Sequence, residues 1–240
     1  MSAAVFSTRN GQLVLESFGS EDLQYDYSSE HDWLQATASS LRSLLATYNL
    51  GGVASVIAPG YKLLTKPIKV PHVEPAKQAQ IIAFEAQQNI PYPLTEVEWD
   101  SQVISDDGIE TEVVLIAVMK DVAFNFCKQI SAQGIKPSSI QASSILDYNA
   151  YRLAYEGDEQ DTLIINVGAR SSNLIFINEN GFFVRNIQLG GNSLTQALAD
   201  SLGKSFVQAE SVKTTYFSGQ TSFESGHPSV QILQDNAQVF

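Results

Sequence analysis

Two turns rich in glycine and serine contain the residues best suited to bind phosphate. One follows an apolar run at residues 163–165, and the other follows an alternating apolar pattern that ends at residue 189. The candidate phosphate contacts are Gly168, Ser171, Ser172, Asn173, Gly190 and Gly191. Backbone N–H groups without bulky side chains suit phosphate oxygens, and glycine lets the backbone approach a ligand closely. The pattern predicts a nucleotide pocket; glycine and serine are also the commonest residues of ordinary turns, which is the alternative.

A small sheet must position these turns. Residues 163–167 and 174–177 have the composition of two strands separated by the first turn. Asn180-Gly181 then precedes the alternating residues 183–189, and this is a strong hairpin signal because both turn positions favour positive φ. The sequence predicts a three-stranded meander with both turns at one end, followed by a helix that Asn192 caps.

An internal repeat relates the two halves of the chain. Residues 4–14 resemble residues 174–184, with Gly11 matching Gly181 at a constant offset of 170 positions. We therefore expect two related lobes, each containing this hairpin, on either side of a cleft. The strand and Gly/Ser turn before the second copy have no counterpart before the first, and an apolar helix pattern starts at Pro228 near the end. We accordingly expect a fragment of a longer protein.

A separate small unit is predicted within the first half. Residues 75–90 have helical apolar spacing, residues 97–119 form a hairpin around the turn 106–108, and a second helix ends at Gly134. The predicted domains are a first lobe of residues 1–70 and 139–158, an inserted α+β subdomain of residues 71–138, and a second lobe of residues 159–240. The predicted fold class is α/β (α+β).

The composition argues against several functions. A formal net charge of −12 over 240 residues argues against binding nucleic acid or adhering directly to an anionic membrane. The longest aliphatic run, residues 113–119, is far shorter than the ~20 residues of a membrane span. Cys127 is the single cysteine and the three histidines are far apart, so a disulfide, a zinc site or a Cys/His nucleophile has no support. The simplest compartment is the cytoplasm.

Two blocks of residues resemble the PilM family, the actin-like cytoplasmic proteins of type IV pilus assembly. The first block is Phe84-Glu85-Ala86 and Ile90-Pro91-Tyr92-Pro93-Leu94, followed by Val97, Asp100 and Gln102-Val103. The second is Gly168-Ala169, Ser171-Ser172-Asn173, Gly190-Gly191, Leu194-Thr195 and Ala209-Glu210 with Lys213. The similarity covers nearly the whole chain. The IPYPL block is its most specific part, since such Gly/Ser turns are shared with the cell-division protein FtsA and sugar kinases.

The resemblance implies an actin-like (ribonuclease H-like) fold of two lobes with the inserted subdomain, and ATP, with Mg²⁺, bound between the lobes. Gly168 and residues 171–173 match the second phosphate loop, and Gly190 and Gly191 match the glycines under the nucleotide. Glu210 and Lys213 match residues that contact the adenosine. A Glu and a Lys one helical turn apart can offer an acceptor and a donor to ribose hydroxyls.

The resemblance also implies a partner. A groove beside the inserted subdomain is expected to bind the cytoplasmic N-terminal tail of the membrane protein PilN, with further contacts to other proteins of the pilus platform. The predicted partner-binding residues are Ile90, Pro91, Pro93 and Leu94, because a proline-fixed apolar backbone suits the wall of a site for an extended peptide. The protein is expected in the cytoplasm, peripheral to the inner membrane through its partner and not inserted in it.

Departures from the family pattern argue against catalysis. Asn166 stands where the family has an Asp that orients a magnesium-bound water, and Gln141 and Ser143 stand where further acids are expected. Without carboxylates the site lacks outer-sphere magnesium ligands and a general base. We therefore expect a scaffold of a type IV pilus or related type II secretion platform, with a degenerate ATP cleft and no catalytic or metal-binding residue. The alternatives are an actin-fold ATPase or kinase-type enzyme and an FtsA-like cell-division protein.

Overall fold

The computed structural model describes residues 1–23, 30–48, 50–58, 60–155, 160–178, 181–219 and 227–237. Its strands are β1 Ser2–Arg9, β2 Gln12–Ser20, β3 Gly52–Ala58, β4 Leu64–Pro71, β5 Val97–Asp106, β6 Glu110–Met119, β7 Ile135–Ala142, β8 Thr162–Val167, β9 Ser172–Asn178 and β10 Gly181–Ile187. Its helices are α1 Glu30–Tyr48, α2 Pro75–Asn89, α3 Lys120–Ser131, α4 Ser143–Ala154, α5 Gly191–Leu202, α6 Phe206–Phe217 and α7 Pro228–Ala237, with a short 3-10 turn at Gly60–Lys62. The predicted α/β class is confirmed.

The chain folds into two compact units. The first comprises residues 1–58, 92–98 and 118–141, and the second comprises residues 59–91, 99–117 and 142–240. Most of the predicted inserted subdomain therefore packs with the second half of the chain. The bounds of the predicted lobes and subdomain stay a prediction.

The first unit contains one copy of the repeated hairpin. β1 and β2 pair antiparallel, and the turn residues Asn10 and Gly11 have φ of 52° and 78°. An Asn-Gly turn of this type requires positive φ at both positions, so the hairpin signal is confirmed here. β3 pairs with β7. Trp33 of α1 stacks on Phe126 of α3 with 6.4 Å between ring centroids, which packs the two helices together.

The second unit contains the predicted meander, with strand order β10-β9-β8 and antiparallel pairing throughout. Its hairpin pairs Asn178 with Gly181, whereas the hairpin of the first unit pairs Arg9 with Gln12. Relative to the offset of 170 positions, the turn therefore comes one residue earlier in the second copy. Gly181 is a strand residue and not the second turn residue that we expected, and Asn180 lies outside the described residues.

A buried carboxylate fixes the start of β10. Glu112 of β6 is 8% exposed, and one of its oxygens accepts a hydrogen bond from the N–H of Phe182 at 2.9 Å. A Cβ atom on residue 181 would overlap this carboxylate. Glycine at position 181 therefore lets β10 begin against the Glu112 carboxylate.

The core of the second unit lies between the meander, β6 and α4. Its buried residues are Val114, Ala142, Ile145, Tyr148, Ile175, Phe182 and Val184. Tyr148 of α4 meets Phe182 edge to face with 4.8 Å between ring centroids, and burial raises the pKa of the Tyr148 hydroxyl. The strand order β4-β6-β5 places β4, with Pro67, at an edge, as predicted for a strand whose proline cannot donate to a neighbour.

Three helices complete the second unit. Their buried apolar residues are Leu194, Leu198, Ala199, Ala209 and Leu233. α5 begins at Gly191 with Gly190 as its N-cap, so Asn192 lies in the first turn and does not cap the helix as we expected. In the described part of the chain, no helix combines the length and apolar character that a membrane span needs.

A polar cluster joins the end of β4, helix α2 and the β5–β6 turn. The carboxylate of Asp106 accepts hydrogen bonds from His72 Nδ1 at 2.8 Å, from Thr111 Oγ1 at 2.8 Å and from Gly108 N–H at 2.9 Å. Gln78 of α2 donates to Thr111 Oγ1 at 2.6 Å. These bonds, with that from Gly108 the largest contribution, lower the pKa of Asp106 from 3.8 to about 2.

We predict that Asp106 titrates near this lowered pKa in the folded protein. Because its pKa is lower in the folded than in the unfolded chain, Asp106 contributes stability above pH 3.8, and this contribution is lost as the pH falls through about 2. Carbon-13 NMR of the carboxyl group measures the midpoint. His72→Gln should raise it only in part, since the bonds from Gly108 and Thr111 remain. A midpoint at the ordinary value in the unchanged protein would contradict the cluster.

Candidate functional site

The two glycine-rich turns lie side by side in the second unit. The first joins β8 to β9, and its Gly168 N–H donates to the carbonyl oxygen of Ser171 at 3.0 Å. The second joins β10 to α5. Its Gly191 N–H donates to the carbonyl oxygen of Gly168 at 2.9 Å, and Asn192 N–H donates to that of Ala169 at 2.8 Å. The structure thus brings together the two turns that carry the predicted phosphate contacts.

Gly190 is required by the close approach of the two turns. A Cβ atom at this position would stand 2.6 Å from the carbonyl oxygens of both Gly168 and Ala169. The hydroxyl of Ser172 adds a further bond between the turns, donating to the carbonyl oxygen of Leu189 at 2.7 Å. The absence of a side chain at Gly190 therefore serves the contact between the turns, whether or not a phosphate binds there.

Glu210 and Lys213 meet beside the second turn. Lys213 Nζ donates to Glu210 at 2.7 Å, to Thr195 Oγ1 at 2.8 Å and to the carbonyl oxygen of Gly191 at 3.1 Å. Thr195 is fully buried and also hydrogen-bonds to Glu210. An ammonium group has three N–H donors, and these three acceptors match them. The pair predicted to contact adenosine therefore also holds the start of α5 against α6.

Three asparagines form a row across the meander. Asn166 of β8 is paired with Asn173 of β9, which is paired with Asn186 of β10. Asn186 Nδ2 donates to Asn173 Oδ1 at 2.9 Å, and Asn173 Nδ2 donates to Ser143 Oγ at 3.1 Å. Asn173, predicted as a phosphate contact, is 5% exposed, and Asn186 and Ser143 engage the two ends of its amide group.

A carboxylate that sequence reasoning missed lies against this row. Asp147 of α4 accepts hydrogen bonds from Asn166 Nδ2 on both of its oxygens at 2.9 Å, and from Asn173 Nδ2 at 3.3 Å. The expectation that this site lacks a carboxylate is therefore wrong. Ser143 and Asp147 are four residues apart on one helix, so they share a face. The sequence shows the four-residue spacing of Ser143 and Asp147. It does not show that this face of α4 packs against β8 and β9, because tertiary packing determines that contact.

The residues around Asp147 do not fit a magnesium ion. Magnesium binds oxygen ligands, but amide N–H groups of Asn166 and Asn173 face the Asp147 carboxylate. Gln141, at one expected acid position, donates to Ser139 at 3.2 Å. Within the described ranges, no three His, Cys, Asp or Glu side chains are grouped to hold a metal ion. ATP binding at the neighbouring turns stays a prediction.

The predicted partner-binding residues differ in exposure. Ile90 ends α2 and is 3% exposed, so its side chain belongs to the core. Pro91 and Pro93 are exposed and Leu94 is half-buried. Tyr92, between the prolines, is 49% exposed and was not singled out as a contact residue. The exposed residues of this block can meet a peptide, and that role stays a prediction.

Comparison with known proteins identifies related sequences and folds. Residues 1–223 match the family model described as type IV pilus assembly protein PilM. Among solved structures, a PilM-PilN type IV pilus biogenesis complex is similar, with 22% identity over 90% of this chain and 67% of that chain, and a TM-score of 0.74. At this identity the likeness shows a shared fold, and the actin-like fold expected for the chain is confirmed. No curated protein matches the chain.

Two other solved structures are more distant. The cytoplasmic domain of EpsL, from the type II secretion system of Vibrio cholerae, has 10% identity over 99% of this chain and 90% of that chain, with a TM-score of 0.43. The ethanolamine utilization protein EutJ from Carboxydothermus hydrogenoformans has 15% identity over 48% of this chain and 38% of that chain, with a TM-score of 0.35. Neither likeness is strong enough to support an argument.

We predict that Gly190→Ala lowers the free energy of unfolding by about 1–3 kcal/mol, as overpacked contacts do. The added methyl group would overlap two carbonyl oxygens and force the turns apart. Urea unfolding followed by circular dichroism measures the change. Gly51→Ala is the matched control, because a Cβ atom there meets nothing within 4 Å. Equal stability of the two variants would contradict the packing of the turns.

We also predict that Asn166→Asp destabilises the protein at neutral pH by about 1–2 kcal/mol, since it turns an amide donor into a second carboxylate facing Asp147. Combining it with Asp147→Asn restores one donor and one carboxylate, and most of the lost stability should return. A double-mutant cycle on the free energy of unfolding measures this coupling. Simple additivity of the two substitutions would show that the groups do not interact.

Proposed function

This chain belongs to the PilM family of type IV pilus assembly proteins, and we propose that it is a cytoplasmic actin-like scaffold of the inner-membrane assembly platform of a pilus or a related type II secretion system. In this role it binds the N-terminal cytoplasmic tail of a PilN-like membrane protein and contacts other platform proteins. It stays at the membrane through that partner. The observation that carries the proposal is the match of residues 1–223 to the family.

The solved relative supports the choice of partner. That protein is part of a PilM-PilN complex, and it shares its fold with this chain. A family that assembles pili must connect cytoplasmic proteins to membrane proteins, and a peptide tail is a small and specific means of attachment. We therefore assign a PilN-like tail to this chain as its proposed ligand.

The chemistry of the IPYPL block supports an extended peptide as the ligand. Pro91 and Pro93 have a fixed φ and are exposed, and Tyr92 between them is an exposed aromatic side chain. Exposed aromatic side chains line grooves that bind extended peptides, and the two prolines restrict the backbone on either side of Tyr92. The net charge of −12 favours a tail with basic residues.

Contacts at the glycine-rich turns support a role without catalysis. The amide of Asn166 donates to Asp147, and Lys213 is bonded to Glu210, Thr195 and the Gly191 carbonyl oxygen. These groups have structural partners within the chain. We propose that any ATP bound there has a structural or regulatory role and that the cleft is degenerate as a catalytic site.

We predict that the protein binds a synthetic peptide of the cytoplasmic tail of the PilN-like protein encoded in the same genome. Tyr92→Ala should weaken binding about tenfold, since loss of an exposed aromatic anchor at an interface costs on the order of 1–2 kcal/mol. Isothermal titration calorimetry measures the dissociation constant.

Phe217→Ala is the control for this experiment, because Phe217 of α6 is an aromatic residue of similar exposure at 60%. It should leave the affinity unchanged. Failure of the unchanged protein to bind the tail would remove the scaffold proposal. An equal loss in both variants would show that the IPYPL block is not the docking site.

A further inference from the structure

Tyr61 and Arg170 form a contact, and neither residue is among the predicted phosphate, adenosine or partner contacts. Arg170 lies within the first glycine-rich turn, between Gly168 and Ser171. One of its guanidinium nitrogens donates to the hydroxyl of Tyr61 at 3.1 Å, and its central carbon lies 4.6 Å from the centroid of the Tyr61 ring. The guanidinium group therefore makes both a hydrogen bond and a cation–π contact with one side chain.

The 3-10 turn that contains Tyr61 packs against the asparagine row. A Cβ atom at Gly60 would stand 2.6 Å from Asn186 Nδ2 and 2.7 Å from Asn173 Oδ1, so a larger residue could not occupy this place without displacing the amides. Gly60 thus brings Tyr61 close to the turn that contains Arg170. The position of the Tyr61 ring is fixed by backbone packing and not only by its own contacts.

The contact places two cationic side chains beside one aromatic ring. Lys62 Nζ lies 5.4 Å from the centroid of the same Tyr61 ring, so two cations flank one aromatic side chain. The whole chain has a formal net charge of −12. An arginine fork matches the geometry of phosphoryl oxygens, and a planar guanidinium group also stacks on aromatic rings. The guanidinium group of Arg170 can therefore bind either an anion or the Tyr61 side chain.

We propose that Tyr61 competes with phosphoryl anions for Arg170, so that the Tyr61–Arg170 contact holds the Gly168–Ser171 turn in a closed state. An anion at this turn draws the guanidinium group away from the Tyr61 ring and loosens the 3-10 turn. A protein with the contact intact keeps the turn closed without any ligand. The closed state involves the Gly168–Ser171 turn and does not depend on the peptide partner.

The experiment titrates the full chain with inorganic pyrophosphate and compares Tyr61→Ala, Tyr61→Phe and Arg170→Ala. Tyr61→Ala removes the ring and the hydroxyl, and we expect it to bind pyrophosphate about tenfold more tightly than the unchanged protein. Tyr61→Phe keeps the ring and loses the hydrogen bond, so the expected gain is about threefold. Arg170→Ala should abolish the binding, because it removes the anion's partner.

Hydrogen exchange of the backbone amides of Gly168, Gly191 and Asn192, which donate hydrogen bonds within and between the two turns, provides a second measurement that requires no ligand. Exchange should be faster in Tyr61→Ala and in Arg170→Ala than in the unchanged protein, and by the same factor, since each variant breaks the same contact. Tyr155→Ala, which removes a 60% exposed tyrosine at the end of α4, is the control and should change neither measurement.

Two results would overturn the proposal. One is an affinity for pyrophosphate that is the same in Tyr61→Ala and the unchanged protein, including no binding by either. The other is unchanged exchange of the Gly168, Gly191 and Asn192 amides in Tyr61→Ala. Tighter binding with faster exchange in Tyr61→Ala, and neither in Tyr155→Ala, supports it.

Discussion

Buried polar groups must be hydrogen-bonded, and this requirement shapes the second unit. Ser172, Asn173 and Thr195 are at most 5% exposed, so their hydroxyl and amide groups need partners within the protein. Each of the three asparagines in the row across the meander has a partner, and Asp147 and Ser143 of α4 supply the partners at its edge. The two glycine-rich turns bond to each other through their backbones. The sheet, α4 and the start of α5 are therefore held in one arrangement by polar contacts as well as by the apolar core.

This arrangement is relevant to function because side chains that could bind a nucleotide are hydrogen-bonded to other residues of the chain. Family resemblance assigns phosphate or adenosine contacts to Asn173, Glu210 and Lys213, and all three have structural partners within the chain. The carboxylate of Asp147 faces amide donors where a cation would need oxygen ligands. These contacts agree with the non-catalytic scaffold role that we propose.

Local signals in the sequence predicted the strands and the meander, because alternation and turn chemistry act over a few residues. The internal repeat predicted the first hairpin, which contains Asn10 and Gly11. Tertiary contacts account for what was missed. Glu112 lies about 70 positions from the hairpin whose start it fixes, and Asp147 lies 19 positions before Asn166. Tyr61 and Arg170 are 109 positions apart. No local pattern joins such pairs, so the Asn180-Gly181 signal predicted the second hairpin but not its shifted turn.

Steady-state turnover of ATP by the protein in the presence of Mg²⁺ tests most directly whether the polar groups of the second unit are structural. If Asp147 and the asparagine row only support the fold, ATP turnover will not rise above the background rate, and Asp147→Asn will change stability alone. Turnover above background that disappears in Asp147→Asn, while the variant remains folded, would contradict this account and identify Asp147 as a catalytic residue.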